Sequence, residues 1–182
     1  MCGVEALTHA GLGLDYNELR LDRTTEDWIT AGSSLRQQVA AILEDHAAGV
    51  EQVGSSSIVG LMAKPIVDLA VGVSEHHDLG AVRERLEAAG WIYRGDAGND
   101  GGHVFVLEAR PWHRVAHLHV VDHGGTQWHS YLVLRDLLRR SAAARERYEA
   151  VKLSLVEEFG DDRKAYTDGK SDIVRVLLRP PE

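Results

Sequence analysis

The stretch Ile66-Val67-Asp68-Leu69-Ala70-Val71-Gly72-Val73, opened by Pro65, restricts the fold more than any other part of the chain. Its β-branched and apolar residues predict a central strand covered on both faces, which requires a sheet with helices packed over it. Asp68 is the anomaly in that run. An ionised carboxylate among apolar neighbours is costly unless a cation or a metal meets it. Asp68 is therefore either a site residue or one half of a structural ion pair, with Lys64 or an arginine as the other half.

The surrounding pattern is a mixed α/β one. Thr24 followed by Asp27 reads as a helix start, and Trp28, Leu35, Val39, Ile42 and Leu43 recur at helical spacing to about His46. Val50 to Val53 alternates as a short strand and runs into a tight small-residue turn, Gly54-Ser55-Ser56-Ser57. Ser74 is placed to cap a helix from Glu75 to Ala89 that Gly90 would stop. Trp91–Arg94, His103–Glu108 and Val115–Val121 read as three further strands, separated by the glycine-rich 95–102 stretch and by Pro111. Helices then run from Thr126 to Arg140, from a Ser141 cap to Phe159, and from an Asp161 or Asp162 cap to Leu178. The expected organisation is an N-terminal extension over 1–23, an α/β (α+β) core with a mixed sheet and flanking helices over 24–124, and a C-terminal helical segment over 125–182. With 182 residues, 44% of them hydrophobic, these parts make a single domain with one sizeable core.

A net charge of −8 disfavours a nucleic-acid backbone as partner, since that needs many uncompensated cations on one face. A small-molecule substrate fits better. No apolar run approaches the roughly 18 residues of a membrane span, and the first residues lack the basic start and apolar stretch of a secretory signal, so the cytoplasm is the expected compartment. The single cysteine, Cys2, is given no role. Most of His76, His77, His103, His113, His123 and His129 are expected at the surface.

The chemistry-bearing constellation is Gly54-Ser55-Ser56-Ser57 followed by Lys64-Pro65 and Asp68. Glycine admits a close approach of the backbone, and adjacent hydroxyls and amides can wrap phosphate oxygens. A carboxylate from the next strand supplies a hard oxygen ligand for Mg²⁺ bridging those phosphates. The whole stretch from Val53 to Leu69 resembles the "VGSTSVPGLAAKPIID" segment of the GrpB-like family within the nucleotidyltransferase superfamily. His117-Leu118-His119-Val120, Leu134 to Arg139, Tyr148 to Lys152 and Tyr166 to Ser171 follow in the family's order.

The resemblance implies a nucleotidyltransferase-like sheet with Asp68 as catalytic carboxylate and metal ligand. It also implies a nucleotide site on Gly54, Ser55, Ser56, Ser57 and Lys64, with Arg135, Lys152, Tyr166 and Lys170 of the helical segment suited to a triphosphate. ATP or another nucleoside triphosphate, with Mg²⁺ or Mn²⁺, is the expected ligand set. One departure stands out: Ala70 occupies the place, two residues after Asp68, where active nucleotidyltransferases usually carry a second carboxylate on the same strand face. His117 and His119, two apart on a strand, are candidates to complete a metal set with Asp68. Three readings follow. The first is a metal-dependent transferase that moves a nucleotidyl group to a small acceptor or adenylates it for ligation. The second is a non-catalytic nucleotide-binding or partner-binding module, and the third is a His/Asp metal hydrolase.

Overall fold

The apolar run does form a central strand, β5 (Val67–Val73), with a neighbour on each side. The structure, a computed structural model, describes residues 2–74, 78–98, 102–160 and 162–179. Before β5 come α1 (Cys2–His9), β1 (Leu14–Asp15), β2 (Asp22–Arg23), α2 (Glu26–Leu43), β3 (Gly49–Val53) and β4 (Met62–Ala63). After it come α3 (Leu79–Ala88), β6 (Ile92–Asp96), β7 (His103–Arg110), β8 (His113–Asp122), α4 (Thr126–Arg140), α5 (Ala142–Phe159) and α6 (Arg163–Leu177).

The main sheet has the order β3-β5-β8-β7-β6, with β1 joining β8. Only the β5–β8 pairing is parallel, and in it Asp68 lies opposite His117 and Ala70 opposite His119. On the other side of β5 the antiparallel register sets Val53 opposite Asp68 and Glu51 opposite Ala70. Cross-strand partners share a face. Glu51, Val53, Asp68, Ala70, His117 and His119 therefore stand on one side of the sheet, and Leu69, Val71, Leu118 and Phe105 on the other. That second side is closed by α1, α2 and α3 through Leu7, Trp28, Leu35, Val39, Leu43, Val82 and Leu86.

The site-bearing face is covered by the C-terminal helices. Trp128 on α4 packs with Val53, Ala70 and Val121, and Tyr131 and Leu132 lie against them. Leu134, Leu138, Ala144, Tyr148 and Ile173 build a smaller core around Ile58 and Leu61, the loop that follows the Gly-Ser turn. The loop carrying the signature residues is thus also the anchor of the helical tail.

Several local expectations shift by a few residues. α2 is capped at Thr25, without a side-chain bond, while Thr24 exchanges backbone hydrogen bonds with Gly60 and Leu61. α3 begins at Leu79 under an Asp78 cap that accepts from Gly80 and Ala81 amides, in place of Ser74. Glu75, His76, His77 and Asp161 fall outside the described residues, and Asp162 caps α6. His113 is half-buried against Asp15, in place of a surface position, while His123 is exposed, with its ring 5.0 Å from that of Trp128. The first 23 residues are built into the fold: Leu7, Leu12 and Leu14 are buried, and Leu14 pairs with Arg114. No helix is long and apolar enough to cross a membrane among the described residues.

Leu7, fully removed from solvent at 0% exposure, tests this integration. Leu7→Ala is expected to cost about 2–4 kcal/mol by loss of transfer energy and cavity formation, read from urea unfolding midpoints. An unchanged midpoint would mean that the first helix contributes nothing to the core.

Candidate functional site

Gly54 ends β3 in the left-handed region at φ +71°. A methyl group on it would come within 2.8 Å of Asp68 Oδ2, so glycine is required both by the backbone and by the closeness of the carboxylate. The next residues form a single 3-10 turn, Ser55–Ser57. The Ser57 hydroxyl donates to Gly54 O at 2.7 Å, and the Ser56 hydroxyl accepts from the Asp68 amide at 3.4 Å. Both serines are buried, so their hydroxyls hold the turn against β5. Gly54 and Ser55, half-buried, are the members of the turn that reach the surface.

Asp68 meets His117, whose Nδ1 stands 3.4 Å from Asp68 Oδ1. Burial alone would push the Asp68 pKa up. The His117 hydrogen bond and the charges of His117, Lys170 and His119 outweigh it and hold the carboxyl below its ordinary value, ionised at neutral pH. The side chain facing Asp68 is thus an imidazole, and Lys170 acts on the same carboxylate. Lys64 instead lies over the Tyr166 ring, 4.2 Å from its centroid.

The helical tail delivers the remaining cations. Lys152 on α5 is 1% exposed, its ammonium donates to Met62 O, and it sits 4.7 Å from the Tyr148 ring centroid one turn earlier. Burial first, then the charge of Lys170, lower its pKa to about 7, with Lys64 acting in the same sense and Glu149 and Asp68 opposing. Tyr166 and Lys170 stand one turn apart on α6. Burial raises the Tyr166 phenol to about 12, with Lys170 opposing, and it raises Tyr148 further, with Asp68 adding to the effect. Lys152, Lys170, Tyr148 and Tyr166 are therefore each within electrostatic reach of Asp68, and Lys64 acts on Lys152 and lies over Tyr166. Tyr148 and Glu149 were not singled out from sequence, although Tyr148-x-x-x-Lys152 is the spacing that aligns two side chains on one helix face.

Other expected members stand apart. Arg135 is locked by Glu51 at 2.9 Å and Asp136 at 2.8 Å, tying α4 to β3. Arg139, one turn further on and not among the expected ligands, donates to Ser57 O at 3.5 Å. His119 lies one step along β8 from His117, with its ring 5.6 Å from that of Tyr131. Among the described residues no three His, Cys, Asp or Glu side chains gather as a metal-binding group, so the expected Asp68-His117-His119 set is not assembled. Ala70 is 0% exposed beneath Trp128, and Glu51 beside it is engaged by Arg135. Cavities of about 230 Å³ near His103 and Thr126 and about 290 Å³ near Gly60 and Glu149 are lined by neither Asp68 nor the three lysines. Side-chain chemistry marks this site, and cavity size does not.

The chain is 29% identical over 170 residues to the glutamate-rich protein GrpB of Alkalihalophilus pseudofirmus, covering 92% of this chain and 98% of that one. It is 40% identical over 128 residues to a UPF0157 protein of Streptomyces coelicolor, covering 70% and 66%. Among solved structures it is similar to the conserved protein GrpB from Enterococcus faecalis, with TM-score 0.71, 24% identity, and 87% and 99% of the two chains covered. More distantly it shares a fold with the Cid1 poly(U) polymerase solved with Mg and 3'-dATP bound, at TM-score 0.52 and 10% identity. There it spans 92% of its own length and about half, 52%, of the polymerase. The core is thus a nucleotidyltransferase-type mixed sheet with flanking helices. The family pattern described as GrpB protein matches residues 18–179, and the chain belongs to the GrpB family.

Proposed function

We propose that the chain binds a nucleoside triphosphate in the cleft between the Gly54 turn and helices α5 and α6, as a nucleotide-binding module of the nucleotidyltransferase fold. The observation that carries this reading is that Lys170 acts on both Asp68 and Lys152, while Lys152, bonded to Met62 O, also feels Lys64, with Glu149 and Asp68 as the opposing charges. Cations gathered partly out of water are costly and are relieved by an anion. The Gly54-Ser55 backbone offers close approach to phosphate oxygens, the lysines supply point charges, and Tyr166 contributes a phenol that burial keeps protonated.

A second reading, favoured by the retained Asp68 beside the Gly54 turn, is catalytic: nucleotidyl transfer to a small-molecule acceptor, or adenylation leading to ligation. It places Mg²⁺ or Mn²⁺ on Asp68. The donor set does not suit a carboxylate-held metal pair, because the second position is a buried alanine and Glu51 is committed to Arg135. Binding therefore ranks ahead of turnover. The hydrolase alternative needs His117, His119 and Asp68 around one water, and the two rings are turned to different partners.

Thermal unfolding with each of the four common nucleoside triphosphates tests the first reading. At about one hundred times its Kd a ligand adds about 2.7 kcal/mol, and no shift with any of them would overturn it. Binding is also pH-dependent with a defined sign. The free Lys152 ammonium titrates at about 7, and a bound anion raises that value, so binding takes up protons above it. Affinity is highest below about pH 7 and falls as pH rises toward the raised value, measurable by calorimetry in buffers of unequal ionisation enthalpy. Equal affinity at about pH 6 and pH 9 would remove Lys152 from the site. Ala70→Asp, which buries a carboxylate beneath Trp128, is expected to cost about 3 kcal/mol of stability with no rescue by Mg²⁺. Recovery of the urea midpoint by Mg²⁺ would instead reveal a latent metal pair.

A further inference from the structure

The nucleotidyltransferase fold is associated with metal-held triphosphates, and this chain's side chains do not suit that arrangement. On the site face, the residues nearest the position of the missing carboxylate are accounted for. Ala70 is fully buried, Glu51 is held by Arg135, and His119 packs toward Tyr131. Asp136 is taken by Arg135 and Glu149 by the Met62 amide and Arg23. Asp68 alone remains, with Oδ1 toward His117 and Oδ2 close under Gly54.

Around that carboxylate the charge is of the wrong sign for a second cation. Lys170 and Lys152 act on one another and on Asp68, and Lys64 adds to the field at Lys152. A divalent ion entering here would displace an imidazole contact and meet the Lys170 ammonium, with Lys152 beside it, and Mg²⁺ gives up its water reluctantly without several oxygen ligands. A polyphosphate meets the opposite situation: fixed cations from three separate elements, one of them almost wholly buried and already held in place by Met62 O.

We infer that the cleft takes its polyphosphate as the free, metal-less anion, with Lys64, Lys152 and Lys170 in the role that metal ions play in two-carboxylate sites. This rests on the nucleotide reading above and sharpens it to a ligand form. It follows that Mg²⁺ competes with the protein for the phosphates, so chelation strengthens binding where a metal-dependent site would lose it.

Calorimetric titration of ATP into the full chain in EDTA, and again in saturating Mg²⁺ at matched ionic strength, tests the inference. The expected result is binding in EDTA at least as tight as in Mg²⁺, together with a tenfold or greater loss in EDTA for Lys170→Met. Lys170 is only half-buried, so that variant keeps the core intact. Binding in Mg²⁺ that is tenfold tighter than in EDTA, or an unchanged affinity in Lys170→Met, overturns the metal-free assignment while leaving nucleotide binding standing. Absence of binding in both buffers overturns the nucleotide reading and this inference with it.

Discussion

The peptide unit of Met62 is gripped from both ends by one helix. Glu149 accepts its amide and Lys152, one turn further along α5, donates to its carbonyl. These two bonds join the helical tail to β4, the short strand that leads through Lys64 and Pro65 into β5. An ammonium at 1% exposure would be destabilising if it were unbonded. Here its cost is offset by the carbonyl and the Tyr148 ring, and its position fixes where the tail sits relative to Asp68.

The same economy appears on the sheet. Parallel pairing of β5 with β8 brings Asp68 and His117 side by side from opposite ends of a long crossover, and the antiparallel β3 ends at the Gly54 turn on the same face. Three strands therefore meet at one corner, which is where an open sheet can present polar groups without burying unsatisfied ones. Further along the face Trp128 and Tyr131 seal the sheet with apolar contact over Ala70. The boundary between chemistry and packing lies between positions 68 and 70 of one strand.

Much of this was legible in the sequence, because it rests on periodicity. β5, α2 and the three C-terminal helices have apolar spacing that survives reading one residue at a time. The charge inside β5 marked Asp68 as needing a partner, and His117 Nδ1 stands 3.4 Å from its Oδ1. What could not be read was set by tertiary partners. β1 and β2 are two residues long and have no period, and their pairing depends on strands many positions away. Ser56 and Ser57 look like phosphate ligands by type, and only the geometry of the 3-10 turn shows their hydroxyls turned inward. Arg135 reads from sequence as suited to a triphosphate, and two carboxylates claim it instead.

The inward side of α5 has a consequence for how the chain opens. Only Ala144, Tyr148 and Lys152 are buried along that helix, a slender apolar contribution for eighteen residues. Its hold on the rest of the molecule is largely polar and is exposed to electrostatic self-repulsion. The helix that carries Lys152 is thus held by few buried side chains, as is α6, where Tyr166 and Ile173 are the buried ones among the described residues. In the language of native-state opening, the low-energy excursion of this chain is a partial release of its own tail. On the proposed nucleotide reading, an anion seated among the lysines relieves that repulsion, and its release is coupled to opening of the tail.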